Sequence, residues 1–153
     1  MERILVVDDE AGALEMLSSF FTDAGYEVVG ASDGNEALSK FRPGWFDCIV
    51  SDLMMPGMNG LELLKQTRSR DRNVAFLMVT GSNSIDKAIQ AMQEGASDYI
   101  TKPFQLDDVM LRVERALQAK KREESIKRLT GLFIISIPVW IIIGIFFGIL
   151  WKR

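Results

Sequence analysis

Arg3-Ile4-Leu5-Val6-Val7-Asp8-Asp9-Glu10 is the stretch that decides the fold. Four aliphatic residues in a row leave no polar face. A strand of that kind is buried on both sides, as in a parallel sheet covered by helices on each face. Similar runs recur at 28–31, 48–51, 76–80 and 98–101, alternating with helical patterns over 11–24, 34–42, 60–70, 85–94 and 106–128. Leu14, Leu17 and Phe21 give the first helix its apolar spacing. Ala24-Gly25, Asp33-Gly34, Pro43-Gly44, Pro56-Gly57, Asn59-Gly60 and Glu94-Gly95 punctuate the units. Strict strand–helix alternation predicts a doubly wound α/β domain around a five-stranded parallel sheet.

Charge divides the 153 residues unevenly. Residues 1–119 hold 11 Lys and Arg against 19 Asp and Glu, whereas 120–128 (KKREESIKR) hold five basic and two acidic residues. An acidic domain is a poor ligand for nucleic acid, so no nucleic-acid partner is expected. Cys48 is the one cysteine and sits in an apolar run, which reads as core packing in a reducing compartment. There is no histidine. Histidine metal sites and Ser-His-Asp chemistry are excluded, and any phosphohistidine must belong to another protein.

Ligands of an open parallel sheet bind at the carboxyl ends of its strands. Those ends carry Asp8 and Asp9, Asp52, Thr80, and Lys102 followed by Pro103. Three convergent carboxylates repel one another. A divalent cation held by oxygen ligands relieves that repulsion, and such a site suits Mg²⁺. A lysine and a threonine hydroxyl beside it would hold a phosphoryl group by charge and position. Taken singly, Asp8-Asp9 reads equally as a helix cap, Asp52 as a turn residue and Lys102 as a surface lysine. The five together, in one βα order, carry the inference.

Val-Val-Asp8-Asp9-Glu10, Asp52-Leu-Met-Met-Pro56-Gly-Met-Asn-Gly60, Val-Thr80-Gly81 and Gly95-Ala-Ser-Asp98-Tyr99-Ile-Thr-Lys102-Pro103-Phe104 resemble the receiver domain of bacterial two-component response regulators. The resemblance covers residues 3 to about 120, so 1–120 is taken as the receiver domain. It implies a flavodoxin-like sheet of order 2-1-3-4-5. It also implies that Asp52 is the phosphoacceptor, and that Asp8, Asp9, Asp52 and the backbone carbonyl of Met54 bind Mg²⁺. Thr80 would bond a phosphoryl oxygen, Lys102 would pair with the phosphoryl group, and the Lys102–Pro103 bond would be cis. Tyr99 reads either as a switch that turns inward with Thr80 or as an ordinary strand aromatic. Met54 and Ser82 occupy positions that tune self-dephosphorylation in the family. Neither is an acid or amide, which implies a long-lived phosphorylated form. The stretch 79–104 is most like receivers of regulators that activate a separate ATPase domain, whereas residues 121–153 carry a basic segment and an uncharged apolar run in place of an ATPase or helix-turn-helix pattern.

Residues 129–151 (LTGLFIISIPVWIIIGIFFGILW) contain no charge. About 20 apolar helical residues cross roughly 30 Å of hydrocarbon. This segment is expected to be a single transmembrane helix, with 121–128 as a basic juxtamembrane extension of the fifth helix and 152–153 as a basic tail. A buried core helix is the plainer alternative, but such helices keep a polar face. Basic residues stay cytoplasmic and attract anionic lipid. The expectation is single-pass insertion in the bacterial inner membrane, with the receiver in the cytoplasm. Gly144 and Gly148 form a G-x-x-x-G spacing that either packs a helix dimer or merely reflects glycines common in membrane helices. Pro138 is expected to kink the helix.

Three functions fit this reading. One is a membrane-anchored phosphorylation switch. A sensor histidine kinase or phosphotransfer protein would load Asp52 and change the face around Ala88, Met92, Tyr99 and Phe104, which binds a membrane-associated output protein or a second copy. The others are a phosphate sink and a phosphate-independent scaffold. Beyond self-directed phosphotransfer and dephosphorylation, no enzyme activity is expected.

Overall fold

The computed structural model describes the backbone of residues 1–81 and 85–151, and the side chains of 1–81 and 86–130. The chain divides into two units, Met1–Gln118 and Ala119–Arg153.

In the first unit, strands and helices alternate: β1 (Arg3–Val7), α1 (Ala11–Asp23), β2 (Glu27–Ala31), α2 (Gly34–Lys40), β3 (Cys48–Asp52), α3 (Gly60–Arg70), β4 (Ala75–Gly81), α4 (Ile85–Gln93), β5 (Asp98–Lys102) and the start of α5 (Leu106–Trp151). The five strands form one parallel sheet of order β2-β1-β3-β4-β5. The expected sheet and order are both present. The strands extend by about one residue beyond their apolar runs, because pairing continues through polar ends such as Arg3↔Glu27 and Asp52↔Val79.

Side chains alternate across the sheet and build two cores. Leu5, Val7, Ile49, Phe76 and Met78 pack with Leu63 and Leu64 of α3 and Ala37 of α2. Ile4, Val6, Val50, Leu77 and Val79 pack with Leu17 and Phe21 of α1 and Val109, Val113 and Leu117 of α5. Cys48 is a buried member of this second core. Central strand β3 is buried at every position, whereas β2 at the sheet edge is mostly half-buried. Asn59 caps α3 by accepting from the Glu62 N–H (2.9 Å), and Glu62 accepts in turn from the Asn59 N–H (3.2 Å). This capping box starts α3 beside the carboxyl end of β3.

Within 119–130 of the second unit, Lys127 pairs with Glu123 at 2.9 Å and Lys120 with Glu124 at 3.9 Å, one helical turn apart. Among the described residues, no helix is long and apolar enough to cross a membrane. From residue 131 on, the side chains of the expected span, including Pro138, Gly144 and Gly148, lie outside those described, as does Ser82.

Candidate functional site

Strand order creates the site. β1 sits between β2 and β3, the point at which the winding reverses and a crevice opens at the carboxyl ends. Val7 is in register with Ser51, so Asp8 and Asp52 lie side by side one residue further on. Gly81 is in register with Lys102, which brings the lysine to the same edge from β5. Asp8 and Asp52 are buried at 1 % and 8 % exposure, while Asp9 is exposed. One carboxylate oxygen from each of the three falls within 4.8 Å of the others.

Lys102 completes the cluster. Its Nζ donates to Asp52 Oδ2 at 3.1 Å and to Asp8 Oδ2 at 3.2 Å. Burial draws the ammonium's pKa down, but the bonds and charges of Asp52 and Asp8 outweigh it, and the net shift is upward. The other carboxylate oxygens also have donors: the Met54 N–H reaches Asp52 Oδ1 at 3.3 Å, and the Glu10 N–H reaches Asp8 Oδ1 at 2.9 Å. The donor set is all oxygen, compact and partly open, which fits Mg²⁺ better than a softer metal.

The remaining candidates lie on β4, β5, α4 and the loops after β3 and β5. Thr80 is buried on the neighbouring strand, with its hydroxyl donating to the Gly81 carbonyl at 2.9 Å. The Lys102–Pro103 peptide bond is cis. Met54 lies at the rim, 56 % exposed, and Tyr99 is exposed on β5. Of the residues expected on the face near Tyr99, Met92 is exposed, Phe104 is partly buried against the core and Ala88 is buried. Helical periodicity explains the difference. Ala88 and Ala91 point inward three residues apart, so Ile89 and Met92 face outward.

Two features escaped the sequence reading. Gly60, read as a turn residue, supports the site from behind. A Cβ there would collide with the Asp52 carbonyl oxygen and press on Met78 Sδ and Leu53 Cα. Its position directly after the capping asparagine was the available signal. Lys87 of α4 donates to Met54 Sδ at 3.1 Å, a contact across 33 positions that no local pattern announces.

Residues 4–114 match the family described as Response regulator receiver domain. The chain belongs to this receiver family. Receivers of this family are phosphoacceptor switches of two-component systems, loaded from sensor histidine kinases, with an acidic pocket that binds Mg²⁺. They are signalling domains and generally not enzymes. Among its relatives, the chain is 37% identical over 129 residues to the regulatory protein AtoC of Escherichia coli, covering 84% of this chain and 28% of that protein. It is 38% identical over 133 residues to the regulatory protein VanRB of Enterococcus faecalis, covering 85% and 60%. The chain therefore spans less than two thirds of the length of these relatives. A receiver domain protein from Clostridium thermocellum superposes with a TM-score of 0.76 at 32% identity, covering 79% of this chain and 98% of that one.

Proposed function

We propose that this receiver is a membrane-anchored phosphorylation switch with Asp52 as its acceptor. The observation that carries the reading is Lys102, whose ammonium bonds Asp52 and Asp8 together at the strand ends. In the proposed step, an Asp52 carboxylate oxygen attacks the phosphorus of a kinase phosphohistidine. The P–N bond breaks and its electron pair leaves with the imidazole nitrogen. Asp8, Asp9, Asp52 and the Met54 carbonyl would hold Mg²⁺, which supplies charge neutralisation for the phosphoryl oxygens. Lys102 holds the acceptor in place and offsets its charge. Thr80 exchanges the Gly81 carbonyl for a phosphoryl oxygen, and Tyr99 follows it inward. Ile89, Met92 and Tyr99 then present an altered surface to a membrane-associated output protein or a second copy.

The membrane half of the proposal rests on the uncharged run 129–151 and its flanking Lys127, Arg128, Lys152 and Arg153. Anchoring would place the receiver at the cytoplasmic face of an inner membrane and raise its effective concentration toward partners held there. The test combines fractionation with a switch readout. Full-length protein is expected in carbonate-washed membranes, and a chain ending at Arg128 in the soluble fraction. In detergent, Mg²⁺ with beryllofluoride should slow hydrogen exchange around β4 and β5, and Asp52→Asn should abolish the change. Soluble full-length protein would overturn the anchor. Exchange unaffected by the mimic would overturn the switch.

A further inference from the structure

We propose that Lys87 is a second phosphoryl-binding cation of this chain. When Asp52 is phosphorylated, Lys87 leaves Met54 and pairs with the phosphoryl oxygens, tying α4 to the acceptor. The inference rests on the reading of Asp52 as phosphoacceptor.

Three observations carry it. First, the resting partner of Lys87 is a poor one. Its Nζ donates to Met54 Sδ at 3.1 Å, and a thioether is a weak acceptor for a full positive charge. Second, the contact leads straight to the acceptor. The N–H of the same Met54 donates to Asp52 Oδ1 at 3.3 Å, so a single residue separates the ammonium from the carboxylate. Third, packing does not fix the lysine: it is exposed, and it lines a cavity of about 220 Å³ together with Leu53, Met54 and Gln90.

The charge balance supplies the driving force. Asp8, Asp9 and Asp52 carry three negative charges against the one positive charge of Lys102. A bound divalent cation brings the site to neutrality. Phosphorylation turns the single charge of Asp52 into roughly two and adds strong acceptor oxygens beyond the carboxylate. One negative charge is then uncompensated, and Lys87 is a cation that contacts the loop following Asp52. A phosphoryl oxygen accepts a charge-assisted bond that far outcompetes a thioether. Because Lys87 is the third residue of α4, the bond would pull on the N-terminal turn of the helix whose outer face carries Ile89 and Met92.

The test titrates beryllofluoride, with Mg²⁺ present, into the full-length protein in detergent at low and high salt. Lys87→Gln should weaken binding of the mimic by about three- to tenfold at low salt. The deficit should shrink at high salt, since screening acts over about 10 Å at 0.1 M. Lys87→Arg should restore most of the affinity, and Lys65→Gln, which removes a lysine of α3 paired with Glu94, should change nothing. The thermal midpoint of Lys87→Gln without the mimic should equal that of the wild type, which excludes a folding defect. Equal affinity of Lys87→Gln and wild type, or no rescue by arginine, overturns the proposal and leaves Asp52 as acceptor. Failure of the wild type to bind the mimic overturns the acceptor reading itself, and this one with it.

Discussion

Lys102 and Asp52 stand 50 positions apart in sequence and 3.1 Å apart in space, ammonium to carboxylate oxygen. The same ammonium reaches Asp8, so one cation from β5 holds together acids from β1 and β3. Its folded pKa is raised above 10.5, the ordinary lysine value. The stability this gives is complete below pH 10.5 and disappears as pH climbs through the folded pKa. Lys102→Gln should therefore be less stable than wild type at pH 8, with the gap closing on the alkaline side. Thermal melts of both proteins from pH 7 to 12 check this. A constant gap would mean that the loss is one of packing and not of charge.

Gly60 forms the floor beneath the acceptor. Its N–H donates to the Leu53 carbonyl at 3.0 Å, and a side chain there would strike the Asp52 carbonyl oxygen. Backbone on backbone cannot yield as a flexible side chain does. Gly60→Ala should cost about 1–3 kcal/mol or more, measured by urea unfolding. It should also weaken beryllofluoride binding, because any relief must displace Asp52. Wild-type stability in Gly60→Ala would show that the loop is softer than its geometry indicates.

Thr67 makes the opposite case. Its hydroxyl is fully buried in α3 and is the one buried side-chain polar atom without a hydrogen-bond partner among the described residues. A buried hydroxyl without a partner keeps its desolvation cost and gains nothing in return. Thr67→Val removes that cost at nearly constant shape and should stabilise the fold by up to about 1 kcal/mol. Destabilisation on urea unfolding would reveal a buried water bonded to the hydroxyl.

The sheet was readable in the sequence because buried parallel strands leave a signature that local context does not blur. Ile4–Val7 and Cys48–Val50 are apolar on both faces, and that property sets element order and class at once. The convergence of Asp8, Asp9, Asp52, Thr80 and Lys102 on one edge follows from the same pattern, since strand ends in a parallel sheet share an edge. Contacts that cross between elements were not readable. Nothing in the spacing of Met54 and Lys87 predicts a 3.1 Å approach, because it depends on where α4 lies over the loop after β3. Ala88 was misjudged for a related reason. Choosing the outward face of a nine-residue helix requires its rotation, and that is set by Ala88 and Ala91 packing inward.

Asp9 separates the cost of the acidic cluster from its use. It is exposed, has no partnering cation among the described ion pairs, and adds negative charge within 4.8 Å of Asp8 and Asp52. Without metal, Asp9→Asn should relieve repulsion and raise stability by up to about 1 kcal/mol. With metal the order should reverse. A cation that binds only the folded state contributes about 2.7 kcal/mol at a hundredfold excess over its Kd, and the variant forfeits part of this by binding more weakly. Melting curves of wild type and Asp9→Asn across a Mg²⁺ series should therefore cross, the variant higher at zero metal and lower at saturation. Parallel curves would show that Asp9 takes no part in the metal site, which would then rest on Asp8, Asp52 and the Met54 carbonyl.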